Sequence, residues 1–297
     1  MKLSTLKKAI ISKSPLVAAT ITISTGLHAE TQPLHFEVYS APESSFSVNS
    51  TLIYGEKEAI IIDAGFSNAD ALRIAANVYD SGKKLTTIFI SQSDPDYYFG
   101  TSELAKLFPD ANIITTPAVR EMIQAKMAKK VAFWGPQMGT NAPEFPILPE
   151  AYTQSSFSIE GHKVEIKGTQ GVLANRPYLW IPSEKAILGN IGVFGDLHVW
   201  TADTQTQARL DAWSAQLSEM LALKPTLVIP GHMKVGTALD ATNIQYTKTY
   251  LADFEKQKTQ SQNSQQLIDS MMASYPAEQV PLSLTIGAKV HMGEMKW

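Results

Sequence analysis

Short runs of consecutive apolar residues alternate along the chain with longer stretches in which apolar positions recur every three or four residues. The first pattern marks strands buried on both faces, the second helices with one buried side. Leu34–Ser40 and Ser50–Tyr54 read as strands, and Glu58–Asp63 (EAIIID) as a strand covered on both faces. Asn68 is placed to cap a helix from Ala69 to Tyr79, with Leu72, Ala75, Ala76 and Tyr79 on one side. Thr86–Ile90 is the next buried strand and runs into a polar loop, Ser91 to Asp96, that ends near Gly100. A helix over Thr101–Leu107, a strand over Asn112–Thr115 and an amphipathic helix over Ala118–Phe133 follow. Phe133-Trp134-Gly135-Pro136 reads as a loop, and residues 137–155, rich in Pro, Asn and Thr, as irregular.

The second half repeats the alternation. Ser156–Ile159, Lys163–Ile166, Tyr178–Ile181 and Ala186–Leu188 are short strands, Gln205–Ala222 is a helix, and Thr226–Ile229 is a strand entering Pro230-Gly231-His232. Asn243–Ser274 is helical with a polar dip at Gln257–Gln265, and Pro281–Ile286 reads as a last strand. Two halves, each placing a sheet against helices, form the expected α/β layering. The polar loops fall at the C-terminal ends of strands, where sites form in α/β sheets.

Composition narrows the function. A 44% apolar, 18% charged chain of 297 residues builds a large core. A net charge of −3 gives no electrostatic reason to expect a nucleic-acid partner. With no cysteine, disulfides, thiolate zinc sites and a cysteine nucleophile are excluded. Residues 1–29 read as a secretory signal: Lys2, Lys7, Lys8 and Lys13, then an apolar stretch from Pro15 to Leu27, then Leu27-His28-Ala29 as a cleavage site. An uncleaved membrane anchor is the alternative. Cleavage leaves residues 30–297 as one domain, not integral to a membrane, in the periplasm or outside the cell.

The loop after Ile90 carries the chemistry. In an extended segment Gln92, Asp94 and Asp96 share a side, and Pro95 stiffens it. Three oxygen-bearing groups on a rigid loop suit a cation; the same residues suit a solvated Asx-rich turn.

Gln92-Ser93-Asp94-Pro95-Asp96-Tyr97, closed by Gly100, resembles the His-x-His-x-Asp-His motif of the metallo-β-lactamase superfamily. Ile61-Ile62-Asp63-Ala64-Gly65 is similar to the family's strand ending in Asp-x-Gly, Leu188-Gly189-Asn190 to its Gly-Asp, and Val228-Ile229-Pro230-Gly231-His232 to its late Pro-Gly-His. The resemblance implies an αββα sandwich of two mixed β-sheets flanked by helices. It also implies a metal-dependent hydrolase, in which a metal-bound water attacks the substrate.

The departures limit that implication. Of the seven ligand positions only Asp96 and His232 keep the family's residue; Gln92, Asp94 and Asn190 offer oxygen, Tyr97 a phenol, and Val172 nothing. This set argues against a full di-zinc centre and for one divalent ion, zinc, manganese, magnesium or calcium, on Gln92, Asp94, Asp96, Asn190 and His232. Asp94 or Asp96 would serve as base on a bound water. Alternatively Arg176 or Lys234 replaces the metal's charge, with an ordinary surface charge as the simpler reading of Arg176. His198 and Asp196 are candidates for the pocket mouth, and Phe133, Trp134 and Trp200 for an apolar cleft. His35 and His162 are expected at exposed strand or turn positions and His291 on the last strand. Two functions remain open. One is a hydrolase of an ester, lactone or amide with an atypical metal site. The other is a non-catalytic relative that binds a small molecule or partner in the old cleft.

Overall fold

A computed structural model describes residues 32–278 and 281–297; the expected signal segment lies outside them. Six strands form the first sheet: β1 (His35–Ser40), β2 (Asn49–Tyr54), β3 (Glu58–Ile62), β4 (Lys84–Ile90), β5 (Asn112–Thr115) and β6 (Glu150–Ala151). They lie in sequence order, antiparallel from β1 to β3 and parallel from β3 to β6. The helices α1 (Asn68–Ser81), α2 (Pro95–Tyr98), α3 (Thr101–Leu107) and α4 (Pro117–Met138) belong to this half.

The second sheet contains β7 (Ser156–Ile159), β8 (His162–Lys167), β9 (Tyr178–Ile181) and β10 (Ala186–Leu188). After a short β11 (Phe194–Gly195) and α5 (Gln207–Ala222), β12 (Leu227–Val228) completes it. Its order is β12-β10-β9-β8-β7, with only β12 parallel to its neighbour. β13 (His232–Met233) pairs with β11, and α6 (Thr242–Gln260), α7 (Ser264–Ser274) and α8 (Pro281–His291) close the chain's described part.

Alternation along the strands sorts the core into layers. Ile60 and Ile62 of β3 and Phe89 of β4 meet Val164, Leu179 and Leu188 of the second sheet. The intervening Ala59, Ile61, Ile88 and Ile90 pack with Ile74 and Val78 of α1 on the outer face. Tyr178 and Trp180 of β9 likewise turn outward to Trp213 of α5, Phe254 of α6 and Leu284 of α8. Helix, sheet, sheet, helix is the observed order, and it explains why β3 and β4 read as unbroken apolar runs. Truncating one of these fully buried isoleucines to alanine costs about 2–5 kcal/mol.

Several expectations fail. Residues 281–291 form a helix, because burial recurs at Ser283, Leu284, Gly287 and Ala288 with helical spacing. α4 continues through Gly135 and Pro136 to Met138, held by Trp134, whose ring packs 5.4 Å from both Phe46 and Phe66. Ser67, not Asn68, caps α1, in a reciprocal box with Asp70. His162 is buried, its Nδ1 2.8 Å from Ser183 Oγ and its Nε2 2.9 Å from the Gln32 carbonyl. His291 lies on α8 rather than on a strand, with Nε2 3.1 Å from the Thr201 carbonyl. Among the described residues no helix is long and apolar enough to cross a membrane.

Candidate functional site

The site loop is fastened from below. Beyond β3, Asp63 takes a positive φ of 68° and points its buried carboxylate at the next strand's end. There it accepts the Ser91 N–H at 2.7 Å and bonds the Ser91 hydroxyl at 2.8 Å. Burial pushes its pKa up to about 8. Gly100 is required by proximity, since a Cβ there would lie 2.0 Å from the Ala64 carbonyl. Between these anchors the chain is not extended as expected. Pro95 starts the helical turn α2, so Asp94 occupies its cap position and Asp96 lies inside it.

The second half brings its own loops to the same place. Asn190 follows β10 and is buried, as is His232 on β13. His232 Nδ1 donates to the Phe46 carbonyl at 2.9 Å, and its ring stacks on Phe194 at 5.3 Å between centroids. Its Nε2 lies 3.5 Å from Asp96 Oδ2. Burial holds the Asp96 carboxyl well above the usual carboxylate range and pushes His232 down to about 4. Burial thus works against charge on both partners.

The remaining expected ligands are committed elsewhere. Asn190 donates from Nδ2 to the Ile229 carbonyl at 3.1 Å and accepts the Val193 N–H on Oδ1 at 2.8 Å. Gln92 Nε2 donates to the Pro177 carbonyl at 3.0 Å. The Tyr97 hydroxyl donates to the Asn190 carbonyl at 3.2 Å and stands where a Cβ on Gly231 would approach it to 2.6 Å. Val172 is exposed on a short turn. Among the described residues no three His, Asp or Glu side chains converge with the spacing of a metal site. The donor set does not fit a di-zinc centre.

Arg176 is not a surface charge. It is 7% exposed, donates to Thr204 Oγ1 at 2.7 Å, and lies over the Trp213 ring, 5.5 Å from its centroid. Burial lowers its pKa, while the negative charges of Asp203 and Asp94 oppose that. Burial and Asp203 raise Asp94 in turn, and Arg176 opposes that. Lys234 and Asp196 do not line the cavity; Asp196 accepts the Thr237 hydroxyl at 2.9 Å.

These loops enclose a cavity of about 220 Å³. Asp94, Asp96, Lys130, His198, Asp203, His232 and Ser283 are the polar residues of its lining. Phe46, Phe133, Trp134, Phe194 and Trp200 form an aromatic wall, and α8 adds Leu282 and Ile286. Asp203, which no sequence pattern singled out, holds part of that wall. Its Oδ2 accepts the Trp200 indole N–H at 2.6 Å and its Oδ1 that of Trp297 at 2.7 Å.

Residues 45–232 match the sequence profile of the Metallo-beta-lactamase superfamily. No curated protein matches the chain by sequence. Among solved structures, a metallo-beta-lactamase family protein from Thermus thermophilus superposes with a TM-score of 0.59 at 15% identity, over 88% of this chain and 93% of that one. A beta-lactamase domain protein from Burkholderia ambifaria gives 0.61 at 14% identity, over 87% of this chain and 84% of that one. At such identities the likeness concerns the fold.

Proposed function

This chain belongs to the metallo-β-lactamase superfamily, and on that premise we propose that it binds a small apolar molecule in its strand-end cleft without a di-zinc hydrolytic centre. The observation that carries this reading is Asn190. Both polar atoms of its amide are spent on the backbone at Ile229 and Val193. Its oxygen keeps one further lone pair, but a neutral amide fixed in this way is a poor replacement for a carboxylate that bridges two metals. The adjoining Asp96 and His232 side chains and the Tyr97 phenol fill the rest of the ancestral position with protein atoms. The aromatic wall supports an occupant whose surface is mostly hydrocarbon. Residues 1–29, basic and then apolar, support export to the periplasm or beyond.

A hydrolase using one divalent ion on Asp96 and His232 is the competing reading, and it rests on their 3.5 Å separation. The test is elemental analysis of protein dialysed against zinc or manganese, paired with tetralin binding followed by tryptophan fluorescence. Sub-stoichiometric metal and saturable tetralin binding are expected. Stoichiometric metal that raises the melting temperature overturns the proposal.

A further inference from the structure

Several side chains at the cavity's mouth stand out in water. Among its lining residues Phe133 is 62% exposed, Leu282 53% and Trp297 52%. Phe133 comes from α4, Leu282 from α8 and Trp297 from the segment after α8. Lys130, one turn before Phe133, also lines the cavity, and its ammonium lies 6.0 Å from the centre of the Trp297 ring. Side chains of α4 and of the C-terminal segment thus rim one opening.

The packing of α4 explains the outward face. Ile123, Met127, Val131, Trp134 and Met138 recur every three or four positions and pack onto the first half's core. Lys126, Lys129, Lys130 and Phe133 repeat the same spacing on a different face. Among the described residues none of these three lysines forms an ion pair or a side-chain hydrogen bond, although Lys83, Lys106, Lys163 and Lys248 do. The carboxylates of the same lining are drawn inward or engaged. Asp94 is partly buried, Asp96 is buried, and both oxygens of Asp203 are taken by the indoles of Trp200 and Trp297. Three unpaired cations therefore share one outward face, in a chain whose net charge is −3.

Apolar side chains set singly among long cationic ones suit a bilayer surface. There the rings and the leucine enter the boundary of the acyl region while the ammonium groups stay level with the phosphates. We propose that this rim docks on an anionic phospholipid bilayer, with Phe133, Leu282 and Trp297 entering the headgroup layer and Lys126, Lys129 and Lys130 against the lipid phosphates. The attachment is peripheral, since among the described residues no helix can cross a membrane. It turns the mouth of the cavity toward lipid, and it does not depend on what the cavity holds.

The absence of cysteine lets one introduced thiol carry a dye to a chosen place. Leu282→Cys on the rim and Leu72→Cys on α1, as the control, are labelled with NBD, which brightens and shifts to the blue on leaving water. Both full-length proteins are mixed with vesicles of phosphatidylglycerol and phosphatidylcholine, or of phosphatidylcholine alone. Residues 1–29 are common to both, so their own affinity for lipid cancels in the comparison. The expected result is a blue shift at position 282 and none at position 72, with the anionic vesicles only. Salt at about 0.5 M, where the screening length falls to roughly 4 Å, should abolish the shift. Lys126→Gln, Lys129→Gln and Lys130→Gln combined should weaken vesicle binding about a hundredfold, at about fivefold for each lysine. Phe133→Ser, at an exposed position, should weaken it about tenfold. A dye at 282 that stays in water while the chain sediments with anionic vesicles overturns the inference. So does a triple variant that binds as the parent does. So does a shift at 282 that needs no vesicles and grows with protein concentration, the mark of a second copy seated on the rim. Tetralin binding is measured on the unaltered protein without lipid, so the reading of the cavity stands or falls separately.

Discussion

Returning the family's carboxylate at one position separates a structural amide from a metal ligand. In Asn190→Asp, one carboxylate oxygen still accepts the Val193 N–H. The other oxygen replaces Nδ2 and faces the Ile229 carbonyl at 3.1 Å, acceptor against acceptor, at a residue 1% exposed. The lost hydrogen bond costs about 1 kcal/mol. The buried charge raises the new carboxyl's pKa by about two units, which at neutral pH adds about 2.7 kcal/mol. The expected loss is thus about 3–4 kcal/mol at pH 7, or roughly 6–15 °C in melting temperature for a domain of this size. The sign with pH follows from proton counting. Between the unfolded and folded pKa values the folded form holds a proton that the unfolded form has released, so stability falls as pH rises. Acidification below about pH 4 should therefore recover most of the loss, because the protonated acid donates to Ile229 as the amide did. Urea denaturation at pH 4 and pH 7, with and without zinc or manganese, measures all of this. A variant as stable as the parent at pH 7, or one rescued by the metal, refutes the assignment of Asn190 as a backbone clamp.

Asp63→Asn should keep both bonds to Ser91 and remove the pH dependence of a carboxyl raised to about 8. From pH 4 to 8 the unaltered protein should lose stability relative to this variant by about 1.4 kcal/mol per pH unit at most, since only its folded form retains the proton. Asp63→Ala strands the Ser91 N–H and hydroxyl and should cost about 2–4 kcal/mol in the same urea assay. Asp96→Asn replaces a carboxyl whose ionisation burial opposes and should change stability by less than about 1 kcal/mol; a loss of several would show that its charge matters to the fold. Gly100→Ala places a methyl 2.0 Å from the Ala64 carbonyl and should cost about 3 kcal/mol or more, seen as a lower melting temperature.

The sandwich was readable because its strands are covered twice. Ile60 and Ile61 face different layers, so both must be apolar, and few arrangements besides a doubly covered strand demand such a run. The C-terminal element was not readable, because Leu-Ser-Leu-Thr-Ile suits strand and helix equally and only the packing of Leu284 against the second half decides. Gln92, Asp94, Asp96, Asn190 and His232 all follow the ends of strands β4, β10 and β12, although Asp96 lies in a helical turn and His232 on a short strand. Their hydrogen bonds were hidden because the partners of Asn190 and Gln92 are carbonyls and an N–H, groups that nearly every residue carries. Arg176 looked like a surface charge because nothing near it in the chain announces Thr204 or Trp213. Asp203 and Trp297 meet across 94 positions, a distance no local pattern bridges.

The Tyr97 hydroxyl spans the molecule's two halves to reach the Asn190 carbonyl. Each half thereby depends on a residue of the other. Restoring an imidazole at position 97 alone would open a gap beneath Gly231, and restoring an acid at 190 alone would set like against like. Either substitution made alone therefore costs packing or polarity at the seam between the halves before any metal could be held.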